Sequence, residues 1–411
     1  MSEPLSTDPY KGVRDFYPAD WARMGAMFAR IRETLAIWGY EEYNASPLER
    51  AELYEAKTSE EIVNEQTYIF TDRGDRNVTL RPEMTPTLAR MVANKRREMP
   101  FPLRWFSIGN RFRYERPQKG RLREFYQADI DLVGLPEGEA DMEIVRIASE
   151  ILKAFGATEK DFVIRVNSRA LLNSACEAAG LSTEAARAYI RLLDKKSKMR
   201  PEEFKTASEA ISKKDPLSLV DRKDMEAFVA TLKERGIGNA VFDTGITRGF
   251  DYYTGMVFEV FDTNPANPRS IFGGGRYDEL VALFGDDPIP AVGFALGDVT
   301  LADFLKTHSL TPSGNGGKPQ LYLGTPTPSG IQAAQAFADT LRKGGGRIFV
   351  NLTNRSLGDQ IKDAVRRDIH LFVAYGASEI ANQTVRMKIL ETGEEVDLSV
   401  SELSTRLCAD D

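Results

Sequence analysis

Histidine and cysteine are nearly missing from this chain: two of each in 411 residues, His308 and His370, Cys176 and Cys408. Neither histidine lies in a stretch with other chemistry-bearing residues, so histidine acid–base catalysis and a histidine metal triad are not expected. Two cysteines make neither a disulfide framework nor a cysteine zinc site, and no resident metal is expected. No apolar run approaches the roughly 20 residues of a membrane span, and the opening MSEPLSTDPYKG has no signal-peptide pattern. The expectation is a cytoplasmic protein with no membrane partner. The formal net charge of −7 leaves no broad positive field. Any nucleic acid must therefore meet local basic patches, and DNA binding is not expected. Chemistry falls to Arg, carboxylates and Tyr.

The chain is long enough for two or three cores, and 42% hydrophobic with 28% charged residues is ordinary globular composition. Its most unusual stretch runs from Leu103 to Asp131. Between Arg104 and Arg123 it holds seven Lys or Arg against one acid, Glu115. Leu103–Tyr114 and Arg123–Leu132 each alternate apolar and polar residues, and Arg116-Pro117-Gln118-Lys119-Gly120 between them is a turn. An antiparallel hairpin with a long basic loop follows. Such a hairpin is either a salt-bridged surface ribbon or a frame holding guanidinium forks over a polyphosphate. The acids Glu115, Glu124, Asp129 and Asp131 suit an amino group or a base edge.

Other stretches read as follows. Trp21–Trp38 is helical in period and ends at Gly39, and Tyr40–Pro47 is a short strand. Tyr68–Leu80 is a hairpin leading into Leu80-Arg81-Pro82-Glu83-Met84-Thr85-Pro86 and a helix, with Thr85 as its cap. Ala140–Phe155 is an amphipathic helix and Phe162–Asn167 a strand. Ala170 to about Arg235 is helical in period, without catalytic features. Thr247-Arg248-Gly249-Phe250-Asp251-Tyr252-Tyr253-Thr254-Gly255 precedes an alternating strand, Met256–Phe261; paired tyrosines there suit cross-strand packing. Phe272-Gly273-Gly274-Gly275-Arg276-Tyr277-Asp278 is a glycine-rich turn, and Pro290–Leu301 a strand, Gly-Phe-Ala and a second glycine. Residues 311–317 are a linker by composition. Beyond them strands and helices alternate in an αβ domain with 11 Lys or Arg against 12 Asp or Glu from Lys318 onward, which favours local, base-reading RNA contact.

The run from Phe112 to Arg121, followed by Arg123-Glu124-Phe125-Tyr126-Gln127, resembles motif 2 of class II aminoacyl-tRNA synthetases. The Arg248–Thr254 string resembles a signature of histidyl-tRNA synthetases, with Phe250 for the usual Leu. Arg81-Pro82-Glu83-Met84-Thr85, the Gly12-Val13-Arg14-Asp15 start and Pro47 fit the same family. The resemblance implies an α+β fold: an antiparallel sheet flanked by helices, a helical insertion and a C-terminal α/β anticodon-binding domain. The expected division is core 1–168, insertion 169–236, core 237–310, linker 311–317 and anticodon-binding domain 318–411. It implies a homodimer that activates L-histidine with ATP and Mg2+ and passes it to tRNA(His). By resemblance Arg113 and Arg248 are catalytic. Glu83, Thr85, Gln127, Asp131, Arg248, Tyr252 and Tyr253 hold histidine, and Arg113, Glu115, Arg121 and Phe125 hold ATP. One position departs: Thr300 stands where the family's motif 3 carries an ATP-clamping Arg, with Arg276 and Arg121 as candidate replacements. That departure favours a second reading, a synthetase-like regulatory protein that senses histidine or tRNA without catalysis.

Overall fold

The computed structural model describes residues 4–55, 66–116, 118, 120–196, 199–248, 252–285, 287–314 and 317–408. Pro117 and Lys119 of the basic loop, Gly249, Phe250 and Asp251 of the second signature, and Asn315 and Gly316 of the linker lie outside the described residues, as does the side chain of Cys408. The chain divides into two units, Met1–Gly314 and Asn315–Asp411.

The first unit opens with helix α1 (Pro18–Ile37), which has Pro18 in its first turn. Met24, Phe28, Ile31 and Leu35 recur at helical spacing and are buried. Of the strand expected over 40–47 only β1 (Glu41–Glu42) forms. Then come β2 (Leu48–Arg50), α2 (Glu52–Glu55), β3 (Tyr68–Thr71) and β4 (Asn77–Leu80), whose strands make a small sheet in the order β2-β4-β3. Helix α3 (Thr85–Lys95) starts at Thr85 itself. The flanking cap position is Met84, so Thr85 is the first helical residue and not the cap. Pro86 fills the second turn position, where a missing N–H costs nothing.

The central hairpin forms as β5 (Leu103–Phe112) and β6 (Glu124–Val133), in register Trp105↔Asp131 through Phe112↔Glu124. Next are α4 (Glu139–Ala154), β7 (Phe162–Ser168), α5 (Arg169–Ala178), α6 (Thr183–Lys195), α7 (Pro201–Ile211), α8 (Lys223–Glu234), β8 (Ala240–Phe242), β9 (Met256–Asp262), β10 (Ser270–Arg276), β11 (Ala291–Gly297) and α9 (Asp298–Thr307). Among the described residues the main sheet has eight strands in the order β1-β5-β6-β11-β10-β9-β7-β8, antiparallel except at its two ends.

The glycine-rich segment expected as a turn is the central strand β10. Glycines there bring neighbouring strands and Phe294 close to the backbone, which tertiary packing rewards and local turn chemistry does not announce. The helical stretch from 169 onward is also divided. Leu172, Cys176, Tyr189, Ile190 and Leu193 form a small separate core. Met225, Val229 and Leu232 of α8 instead join the main one.

The two-residue period of the strands sorts the sheet's faces. Ala128, Ile130 and Leu132 of β6, Phe258 and Val260 of β9, and Val292 and Leu296 of β11 share one core with α1 and α4. Each such large apolar side chain contributes about 1.5–3 kcal/mol by burial. The intervening residues, Gln127, Asp129, Asp131, Glu259 and Gly293, are left for the opposite face.

The second unit holds β12 (Leu321–Gly324), α10 (Ile331–Lys343), β13 (Ile348–Val350), α11 (Leu357–Arg366), β14 (Leu371–Ala374), α12 (Ala377–Asn382), β15 (Thr384–Ile389), β16 (Glu395–Ser399) and α13 (Val400–Cys408). Strands β13, β12 and β14 are parallel, while β15 and β16 add antiparallel. Among the described residues no helix is long and apolar enough to cross a membrane.

Candidate active site

Two adjoining pockets occupy the polar face of the main sheet. Glu83, Thr85, Gln127, Asp129, Asp131, Arg248, Tyr252, Tyr253, Tyr277 and Gly293 line the first together with Arg113. Glu115, Arg121, Phe125, Gly297, Val299 and Thr300 line the second, again with Arg113. Every residue expected from the sequence to touch histidine lies on the first wall, and every one expected to touch ATP on the second. Arg113 is on both.

The first pocket is acidic and aromatic. Glu83 is buried just before α3 and accepts a 3.0 Å hydrogen bond from Tyr252 Oη. Asp129 pairs with the fully buried Arg111 at 2.5 Å and accepts from Gln127 Nε2 at 2.6 Å. Asp131, two residues on and on the same face, has no such ion pair among the described residues. Its Oδ1 accepts from Tyr277 Oη, and its buried Oδ2 accepts nothing among the described residues. Burial pushes the Asp131 carboxyl up to about 8, helped by Asp129 and opposed by the Tyr277 hydrogen bond. Burial also pushes the Tyr252, Tyr253 and Tyr277 phenols up, which keeps them neutral donors. A Cβ on Gly293 would stand 2.2 Å from Asp131 Oδ1, so glycine is what leaves room for this carboxyl.

Arg248 enters from a residue with φ of +58°, a region uncommon for non-glycine residues. Its Nη1 pairs with Glu259 at 3.0 Å and its Nη2 donates to the Gly273 carbonyl at 2.9 Å. Both contacts aim the fork across the sheet from β9 and β10. In the second pocket Arg121 pairs with Glu115 at 2.8 Å. Arg113 Nε donates to the Pro82 carbonyl, and its guanidinium carbon lies 5.4 Å from the centre of the Phe125 ring.

Sequence reasoning assigned no role to Tyr277, and it placed Arg276 among candidate phosphate ligands. Arg276 is 1% exposed and donates to both oxygens of Asp141, to Asp278 and to the carbonyls of Leu135 and Pro136. Its donors are spent within the protein, so it is no replacement for the arginine absent at Thr300. Nothing local in the sequence distinguishes a buried Arg from a ligand Arg; the partner acid is 135 residues away. Tyr277 is reached only by knowing that β11 lies between β10 and β6.

The raised Asp131 value has a thermodynamic consequence. A carboxyl at about 8 in the fold and near 4 when unfolded costs no stability below pH 4. The cost grows as pH rises from about 4 to about 8, then stays constant. Asp131→Asn is therefore expected to gain stability over the parent progressively across that window, reaching on the order of a few kcal/mol. Tryptophan-fluorescence melts from pH 4 to 9 test this, and a pH-independent difference would contradict it.

A mostly antiparallel sheet with two adjoining polar pockets on one face fits the class II aminoacyl-tRNA synthetases. The profile of the histidyl-tRNA synthetases matches residues 12–205 and 197–300, and that of the anticodon-binding domain matches 321–409. The chain belongs to the histidyl-tRNA synthetase family. It is 39% identical to histidine–tRNA ligase of Leptospira biflexa over 97% of this chain and 96% of that one. With histidine–tRNA ligase of Opitutus terrae the identity is 38% over 94% of each. The crystal structure of histidyl-tRNA synthetase from Nostoc sp. PCC 7120 shares the fold with a TM-score of 0.78 at 24% identity, over 98% of this chain and 99% of that one.

Proposed function

We infer that the chain is a histidine–tRNA ligase, which activates L-histidine with ATP and transfers it to the 3′ end of tRNA(His). The observation that carries this is the position of Arg113 on the walls of both pockets. An amino acid in one and a nucleotide in the other would meet at its guanidinium.

Glu83 and the Tyr252 hydroxyl face the ammonium of histidine from the start of α3, with Thr85 beside them. Asp131 takes an imidazole N–H on the oxygen that has no partner among the described residues, and Gln127 and Tyr253 complete the wall. Arg248 and Arg113 hold the carboxylate against the α-phosphate. A carboxylate oxygen forms a bond to that phosphorus and the bond to pyrophosphate breaks, giving histidyl-adenylate. Charge rises on the phosphoryl oxygens in that transition state, where two fixed guanidinium groups stabilise it most. Positioning and electrostatics supply the rate without a strong protein base. Phe125 meets the adenine ring, Glu115 its amino group and Arg121 the terminal phosphates; Mg2+ arrives with ATP as part of the substrate. A hydroxyl of the terminal ribose then attacks the acyl carbon, and AMP leaves.

The C-terminal unit reads the tRNA anticodon region through local contacts. A homodimer is supported by the apolar side chains left exposed on the small sheet, Leu48, Ile69 and Phe70. A cytoplasmic location accords with tRNA as substrate.

Histidine-dependent ATP–pyrophosphate exchange tests the reading. Glu83→Gln is expected to raise KM for histidine about 10–100-fold, the worth of one charge-assisted hydrogen bond, with KM for ATP changed less than about two-fold. Histidine binding by calorimetry without any exchange would instead establish the non-catalytic sensor.

A further inference from the structure

The second pocket is short of positive charge for a polyphosphate. Glu115 neutralises Arg121, and the other cation among the described residues of its wall is Arg113. On the side opposite the basic loop the wall is Gly297, Val299 and Thr300. Thr300 does not offer its hydroxyl to a ligand: Oγ1 donates to the Ile271 carbonyl at 2.6 Å and reaches the Gly297 carbonyl at 3.3 Å.

That bond ties the start of α9 to the start of β10, two residues from Arg269. The strand carries an irregularity between Ser270 and Phe272, the kind of bulge that re-aims neighbouring side chains. The loop before it is pinned as well, since Asn267 donates to both Asp262 and Thr307. Arg269 is exposed and makes no ion pair or hydrogen bond among the described residues. A Cβ built on Gly120 of the basic loop would lie 3.8 Å from its Cδ and from its Nη1, and 3.9 Å from Thr300 Cγ2. One guanidinium without a partner among the described residues thus stands beside Gly120 and the wall that Thr300 forms.

We propose that Arg269 is a phosphate-binding residue of this chain, its guanidinium gripping the terminal phosphates of ATP where Thr300 supplies no charge. The proposal rests on reading the second pocket as the ATP site. Arg forks match phosphate oxygens bidentately, and here the side chain comes from a pinned loop instead of the helix that follows β11. Thr300 becomes a positioning residue, holding the start of the strand that Arg269 precedes.

Exchange kinetics and calorimetry on the full-length protein test it. Arg269→Ala is expected to lower kcat/KM for ATP about 10–100-fold and to leave KM for histidine within about two-fold. Arg269→Lys should recover part of the loss. The side chain is exposed, so unchanged melting of both variants is expected. An Arg269→Ala enzyme with kcat/KM for ATP within two-fold of a histidine-dependent parent overturns the proposal and leaves the ligase reading intact. A parent without exchange whose ATP binding weakens at least ten-fold in Arg269→Ala supports the proposal while the ligase reading fails. A parent that binds no ATP overturns both.

Discussion

Replacing Arg248 with alanine is expected to lower histidine-dependent pyrophosphate exchange by about 10²–10³-fold, mainly in kcat. The side chain is nearly buried, and its fork is held by Glu259 and the Gly273 carbonyl from two different strands. Its orientation is therefore set before substrate arrives and costs no reorganisation during the reaction. A preorganised donor at a centre where charge develops is worth roughly 3–4 kcal/mol. Loss of the guanidinium also leaves the Glu259 carboxylate without its ion-pair partner. Arg248→Lys keeps the charge but not the fork and should recover little of the rate. Glu259→Gln separates aiming from charge: a smaller loss is expected, because the carboxamide oxygen still accepts from Nη1. Exchange by Arg248→Ala within ten-fold of the parent would remove Arg248 from the chemistry.

Arg276→Met should destabilise the first unit by about 3–5 kcal/mol without bearing directly on catalysis. The substitution strands Asp141, itself 1% exposed, as a buried charge with its main partner gone. It also frees the carbonyls of Leu135 and Pro136. Asp141 further accepts from the Gly138 N–H at the start of α4, so the effect reaches that helix. Replacing both partners, as in Arg276→Met/Asp141→Leu, should recover much of the loss, since a well-packed apolar pair costs less than one orphaned charge. All three tryptophans, Trp21, Trp38 and Trp105, precede residue 314, so urea unfolding followed by their fluorescence reports this unit. A loss below about 1 kcal/mol would show that Arg276 is not a structural anchor.

The residues of both pockets were largely legible in the sequence because each motif is local. Phe112 to Gln127 states its own hairpin through alternation and a turn, and a strand of period two fixes which of Gln127, Asp129 and Asp131 share a face. Glu83 and Thr85 follow from a proline-stiffened junction into a helix, although the cap itself fell to Met84. What could not be read was every feature that depends on which strand lies beside which. Gly273, Gly274 and Gly275 look like a turn until β9 and β11 flank them. Arg276 looks like a ligand until Asp141 is found beside it. Helix α8 belongs by composition to the insertion and by burial to the main core.

The sequence by itself determined the kind of chemistry to expect: two histidines and two cysteines turned attention to guanidinium, carboxylate and phenol groups, and their order identified the family. Tertiary structure alone decided which of those groups are free to act. It spent Arg111 on Asp129 and Arg276 on Asp141, left one oxygen of Asp131 without a partner among the described residues, and brought Arg269 against Gly120 and Thr300 beside the second pocket. The physical reason is that a charge is committed or available according to its nearest neighbours in space, and strand register sets those neighbours across more than a hundred residues of chain.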